Sequence, residues 1–242
     1  MGKQIFILRD EQLIVNKLKD LIEEIAGEKL KKNDVFTIGL SGGSLIKYAS
    51  QAFLSIVTEW TKWRFFFCDE RLVPFDDKES TYGLYKEELL GKVPITEEQF
   101  VTINPVLNVE DAAQDYTKKM KEYFEPNKFP SFDLLLLGIG PDGHTCSLFP
   151  DHPLLEENKL WVASISDSPK FPPCRITLTF PVINNAHNVI FVALGGSKAK
   201  TIKEIFREDS SNPLPASRVS PSHGQLYWLM DNAAASEINK TE

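Results

Sequence analysis

The sequence of 242 residues predicts a three-layer α/β/α sandwich on a mostly parallel sheet. Short strand-like segments alternate with segments of helical period, as βαβ units require. The run FDLLLLG at 132–138 is apolar almost throughout, which suits a strand covered on both faces. Glycine-rich turns follow several strands, at the sheet edge where such folds bind ligands.

Taken in order, residues 5–8 read as a short strand. Residues 10–32 carry apolar side chains at 14, 18, 21, 22 and 25, a helical spacing. A second strand covers 35–40, and SGGS opens a helix expected to reach about 57. The aromatic strand 64–68 ends in the charged trio Asp69-Glu70-Arg71. A loop with Pro74 leads to a helix near 82–90, then a strand at 100–103 and a helix at 109–124. After 132–138, strands are expected at 160–165, 175–180 and 189–194. GGSKAKTIKEIF starts a helix, 226–230 is the last strand, and a short C-terminal helix closes the chain. SPKFPP and NPLP are loops inside one domain spanning 1–242.

Composition narrows the function. Lys and Arg number 27 against 34 Asp and Glu, a net charge of −7. That balance argues against nucleic acid or an anionic membrane as partner, so an anionic ligand must be held by local cations. Cys68, Cys146 and Cys174 lie far apart with no CxxC pair, which supports neither a disulfide scaffold nor a zinc site and suits reduced thiols. No metal is expected. The apolar run near the N-terminus is too short for a signal peptide, and no stretch approaches the roughly 18 apolar residues of a membrane span. A cytoplasmic monomer is the expectation.

The residues after each strand carry the chemistry. Ser41-Gly42-Gly43-Ser44 can turn backbone N–H groups and a helix N-terminus toward an anion. No GxxxxGK[ST] pattern accompanies it, so a nucleoside triphosphatase is not indicated. Arg71 suits an anion or a developing oxyanion, and Asp69 a substrate hydroxyl or a partner side chain. Residues 138–143 spell GxGxxG, the dinucleotide fingerprint, but Pro150 and Pro153 leave no room for the helix that the fingerprint needs. That loop instead frames Asp142 and His144 as a positioned acid/base pair. Cys146 follows His144 too closely to face it on a helix, and no GxSxG elbow exists, so water activated by His144 is simpler than a covalent nucleophile. Lys170, Arg175 and Lys198 stand near other strand ends. With Arg71 they would make a cationic pocket suited to a phosphomonoester.

With these residues in view, the chain resembles the 6-phosphogluconolactonases, above all the animal cytosolic type. The likeness runs from LSGGSL through CDERLVPFDDKESTYGLY, TINP, GPDGHTCSLFPDHPLL, SDSPK and RITLTFPV to NPLPASRV. One departure is FPPC after SDSPK, where relatives tend to carry more prolines. The resemblance implies a Rossmann-like sheet shared with glucosamine-6-phosphate deaminases, no cofactor, and a sugar-phosphate lactone as substrate. It implies that SGGS, Arg175 and Lys198 hold the 6-phosphate with Lys170 nearby. His144 would be the general base toward water attacking C1, Asp142 would orient it or the sugar hydroxyls, and Arg71 would serve either the C1 oxygen or the phosphate.

Rival readings are weaker. The deaminases carry an acid five positions after the loop histidine, where this chain has Phe149. A sugar-phosphate sensor would not need His144 and has no basic patch or helix-turn-helix to act through. A dinucleotide dehydrogenase lacks the helix after Gly143.

Overall fold

The computed structural model describes residues 2–32, 34–207 and 209–238. Strand β1 (Lys3–Leu8) leads into helix α1 (Glu11–Leu30), whose N-terminus is capped by Asp10 accepting from the Leu13 amide. Strand β2 (Phe36–Leu40), helix α2 (Leu45–Phe53) and strand β3 (Trp63–Phe67) follow. Next come strand β4 (Asp69–Arg71), helices α3 (Thr81–Leu89) and α4 (Val109–Met120) and strand β5 (Leu134–Leu137). Strands β6 (Val162–Ile165) and β7 (Arg175–Leu178), the short helix α5 (Phe180–Ile183), strand β8 (Asn188–Ala193), helix α6 (Ala199–Ile205) and strand β9 (Gln225–Asp231) complete the series.

Six strands form a wholly parallel sheet in the order β1-β9-β8-β5-β2-β3. Successive side chains of a strand point to opposite faces, so each central strand feeds two cores. Leu134 and Leu136 join Ile38, Phe65, Ile190 and Leu229 beneath α1, α2 and α3. Leu135 and Leu137 join Phe66, Phe191 and Trp228 on the other face, with α4 and α6. Each such leucine contributes on the order of 2 kcal/mol by leaving water, which is why the whole run must be apolar.

The expected strands are not all in that sheet. β4, β7 and β6 form a separate antiparallel sheet, with Asp69 opposite Thr177 and Arg71 opposite Arg175. The chain changes sheet at Cys68, whose N–H donates to Leu40 O at 2.8 Å while its carbonyl accepts from the Leu178 amide at 2.7 Å. The charged trio is therefore a strand, not a loop.

Other boundaries also move. The helix after SGGS stops at Phe53, because tight turns from Ala52 and Phe53 to residues 55 and 56 end it short of residue 57. The expected strand at 100–103 is a single bridge from Phe100 to Phe65, whose rings stack 4.8 Å apart. Beyond Val101, Lys119 takes the Thr102 carbonyl and no ladder forms. Residues 232–238 are turns where a C-terminal helix was expected, since Asp231 accepts from the Ala234 and Gly195 amides and folds the chain back. Residues 239–242 lie outside the described residues. Among the described residues, no helix is long and apolar enough to cross a membrane.

Candidate active site

The large sheet reverses its winding between β2 and β5, and ligands of such sheets bind beyond the carboxyl ends at that point. A cleft of about 270 Å³ lies there, lined by the SGGS loop, Asp69, Arg71, Gly138 to Gly140, His144, Cys146, Lys170, Phe171 and Arg175. Most of the sequence-predicted site converges in one place. Asp142 touches it through His144, while Lys198 is not among the lining residues. Burial lowers the Lys198 pKa, against the opposing charge of Asp231.

Local chemistry sets the glycine loop. Gly43 has φ +72°, a left-handed conformation that favours glycine. Gly42 lies against α3: a Cβ there would sit 2.9 Å from Thr81 Oγ1 and 3.7 Å from Arg71 Nη2. Ser44 makes no side-chain cap at the start of α2; the Ile46 amide turns back to Gly43 O at 3.2 Å, and the helix N-terminus otherwise faces an anion uncapped.

The loop after β5 is closed by Gly140 N–H to His144 O at 2.9 Å and pinned to α6 by Thr201 Oγ1 donating to Pro141 O at 2.7 Å. Within it His144 Nδ1 lies 2.5 Å from Asp142 Oδ1. An ionised carboxylate only accepts, so this contact assigns the proton to Nδ1 and leaves Nε2 as the basic nitrogen. Phe149 packs on the imidazole at 4.7 Å between centroids. Burial pushes the His144 pKa down and the nearby Lys170 pushes it further, while Asp142 opposes both; the balance lies below the usual histidine value. Burial works against ionisation of Asp142, yet His144 and Lys170 hold its carboxyl below the usual range.

No side chain fits at Gly140, where a Cβ would lie 1.9 Å from His144 Cε1 and 2.0 Å from Nδ1. Gly140→Ala is therefore expected to displace the ring and lower turnover roughly ten- to a hundredfold, while a far-UV spectrum stays unchanged. Full activity in that variant would show that the ring has another productive position.

The two arginines opposite one another in the small sheet are used differently. Arg175 donates from Nε to Pro172 O at 2.9 Å and from Nη2 to Lys170 O and Phe171 O at 2.9 and 3.2 Å. The Nε/Nη2 edge is thus spent on the backbone of the 170–172 loop, while Arg175 still lines the cleft. Arg71 is the reverse: Nη1 is held by Glu79 O at 2.8 Å and Glu79 Oε2 at 3.3 Å, while buried Nε has no hydrogen-bond partner among the described residues. Ser41 Oγ and Thr81 Oγ1, at the same corner, are buried and likewise unpartnered. This corner can accept a ligand carrying several acceptor oxygens.

Asp69 is buried and accepts from Ser147 Oγ at 2.7 Å. Its neighbour Glu70 is buried too and accepts three backbone amides, from Arg71, Thr81 and Tyr82, tying β4 to the start of α3. Burial nonetheless pushes the Glu70 carboxyl up to about 7. Cys146 faces Cys68, and that contact, with burial, raises its thiol well above the ordinary value, which disfavours a thiolate nucleophile. Sequence reasoning missed Glu79, Thr81 and Ser147 as supports of Arg71, Gly42 and Asp69. No spacing signal marks them.

The family model described as "Glucosamine-6-phosphate isomerases/6-phosphogluconolactonase" matches residues 9–228. The 6-phosphogluconolactonase of Homo sapiens is 55% identical over 205 residues, covering 83% of this chain and 80% of that protein. The 6-phosphogluconolactonase of Rattus norvegicus is 49% identical over 237 residues, covering 96% and 92%. Among solved structures, 6-phosphogluconolactonase from Trypanosoma cruzi superposes with a TM-score of 0.85 at 27% identity, covering 98% of this chain and 97% of the other.

Proposed function

The chain belongs to the family of glucosamine-6-phosphate isomerases and 6-phosphogluconolactonases, and from that premise we propose that it is a 6-phosphogluconolactonase acting as one domain. The reaction is hydrolysis of 6-phospho-D-glucono-1,5-lactone to 6-phospho-D-gluconate, an ester hydrolysis in the oxidative pentose phosphate pathway. The observation that carries the mechanism is the His144 imidazole, with Nδ1 engaged by Asp142 and Nε2 left to take a proton.

Water attacks C1 as Nε2 removes its proton. The tetrahedral intermediate then collapses, the bond from C1 to the ring oxygen breaks, and Nε2–H returns the proton to that oxygen. No covalent enzyme intermediate is needed. The phosphate is assigned to the SGGS amides, the α2 N-terminus and the unpartnered edge of Arg71, with Lys198, after β8, adding positive charge two strands over. Asp69, fixed by Ser147, keeps Oδ1 for a sugar hydroxyl. The new carboxylate of the product forms close to Asp69 and Asp142, which favours its departure.

The assay is acid release from freshly generated lactone, with the spontaneous rate subtracted. Release well above that rate is expected. No excess would overturn the proposal. A deaminase reading gains nothing from the site, because Phe149 covers the imidazole and carries no proton.

A further inference from the structure

The contacts of Lys170 go beyond an additional phosphate ligand. Its Nζ lies 3.1 Å from Asp142 Oδ1 and 3.2 Å from His144 Nδ1, so it shares one carboxylate oxygen with the imidazole. The segment that bears it is held on both sides: Ser168 Oγ donates to Lys170 O and accepts from its amide, and Arg175 donates to Lys170 O and Phe171 O. An arginine buried in the small sheet therefore fixes where this amine stands.

We propose that Lys170 is a positioning residue for the proton-transfer histidine, a counter-charge to Asp142 that keeps His144 neutral at rest and drives off the proton that it has taken up. This rests on the lactonase reading above. A carboxylate beside an imidazole, acting alone, stabilises the imidazolium and so holds the proton. A cation 3.2 Å from Nδ1 offsets that pull, because imidazolium and ammonium repel across so short a gap. The proton moved from water to Nε2 is then released readily to the ring oxygen as the C1 bond breaks. One group serves as base and then as acid without resting in the charged form.

The other groups facing the ring do not replace this role. Asp142, on the same loop, and Asp69, from β4, both favour the charged imidazole, and the Cys146 thiol is turned to Cys68. Arg175 lies over Phe149, 5.8 Å from that ring's centroid, and its Nε and Nη2 are spent on the 170–172 backbone. Lys170 is the cation in direct contact.

The test is Lys170→Met beside Lys170→Arg, read by NMR titration of the His144 Cε1–Hε1 signal and by the pH profile of kcat/KM. In the Met variant the His144 midpoint is expected to rise by about one pH unit, and the acid limb of the profile to move up with it. The Arg variant is expected to return both toward wild type. An unmoved His144 midpoint overturns the proposal. So does a Met variant whose only defect is a raised KM that vanishes with phosphate-free glucono-δ-lactone, since that marks a phosphate ligand. The NMR midpoint needs no turnover, so failure of the lactonase reading shows separately, as a wild type without excess acid release. Should the Met variant fail to fold, Lys170→Gln gives the same readouts.

Discussion

His144→Ala is expected to lower kcat/KM for 6-phosphoglucono-δ-lactone at least about a hundredfold, with little change in stability. A positioned general base contributes roughly 10²–10⁴-fold, and the lactone is activated enough that water alone supplies the rest. The side chain is partly exposed to the cleft, and its removal leaves Asp142 still paired with Lys170. The measurement is acid release by both proteins, corrected for spontaneous hydrolysis. Equal rates would retain the activity and refute the base. A wild-type acid limb below the usual histidine midpoint is the companion expectation: burial and Lys170 favour the neutral ring, so activity persists as pH falls and is lost only below that lowered value.

Arg71→Ala is expected to cost about a hundredfold or more in kcat/KM, mostly through KM, and far less on glucono-δ-lactone without its phosphate. Two charge-assisted hydrogen bonds of about 1.5–3 kcal/mol each support that magnitude. Arg71→Lys should recover little, because an ammonium keeps the charge but not the two-donor edge that Glu79 aims at the glycine loop. A loss of equal size on both lactones would move Arg71 to the C1 oxygen instead. Substrate-velocity curves on the two lactones separate the outcomes.

Much of this was legible because one-dimensional signals carry it. A short apolar run such as the four leucines of FDLLLLG, closed by glycine, suits a strand between two layers, and GPDGHT advertises its histidine through the glycines around it. Ladder partners are another matter. Residues 69–71 read as a charged end to an aromatic strand, since nothing local says that Cys68 hands the chain to a second sheet. The same blindness hid the anchoring of Arg175: its carbonyl partners in 170–172 come from a loop shape that composition does not encode. Phe100 misled in the opposite way, since an aromatic β-former can stack on a strand without extending the sheet.

The division between the two sheets has a consequence for how the protein comes alive. The parallel sheet supplies the glycine loop and the imidazole, and the antiparallel one supplies Asp69, both arginines and the loop amine, so each holds half a site. Asp69 to Ser147 and Lys170 to Asp142 stitch the halves together. The cleft is thus comparable to a heterodimer interface whose partners share a backbone. Catalytic competence reports the docking of those halves rather than the presence of either, and during refolding it should be the last signal to return.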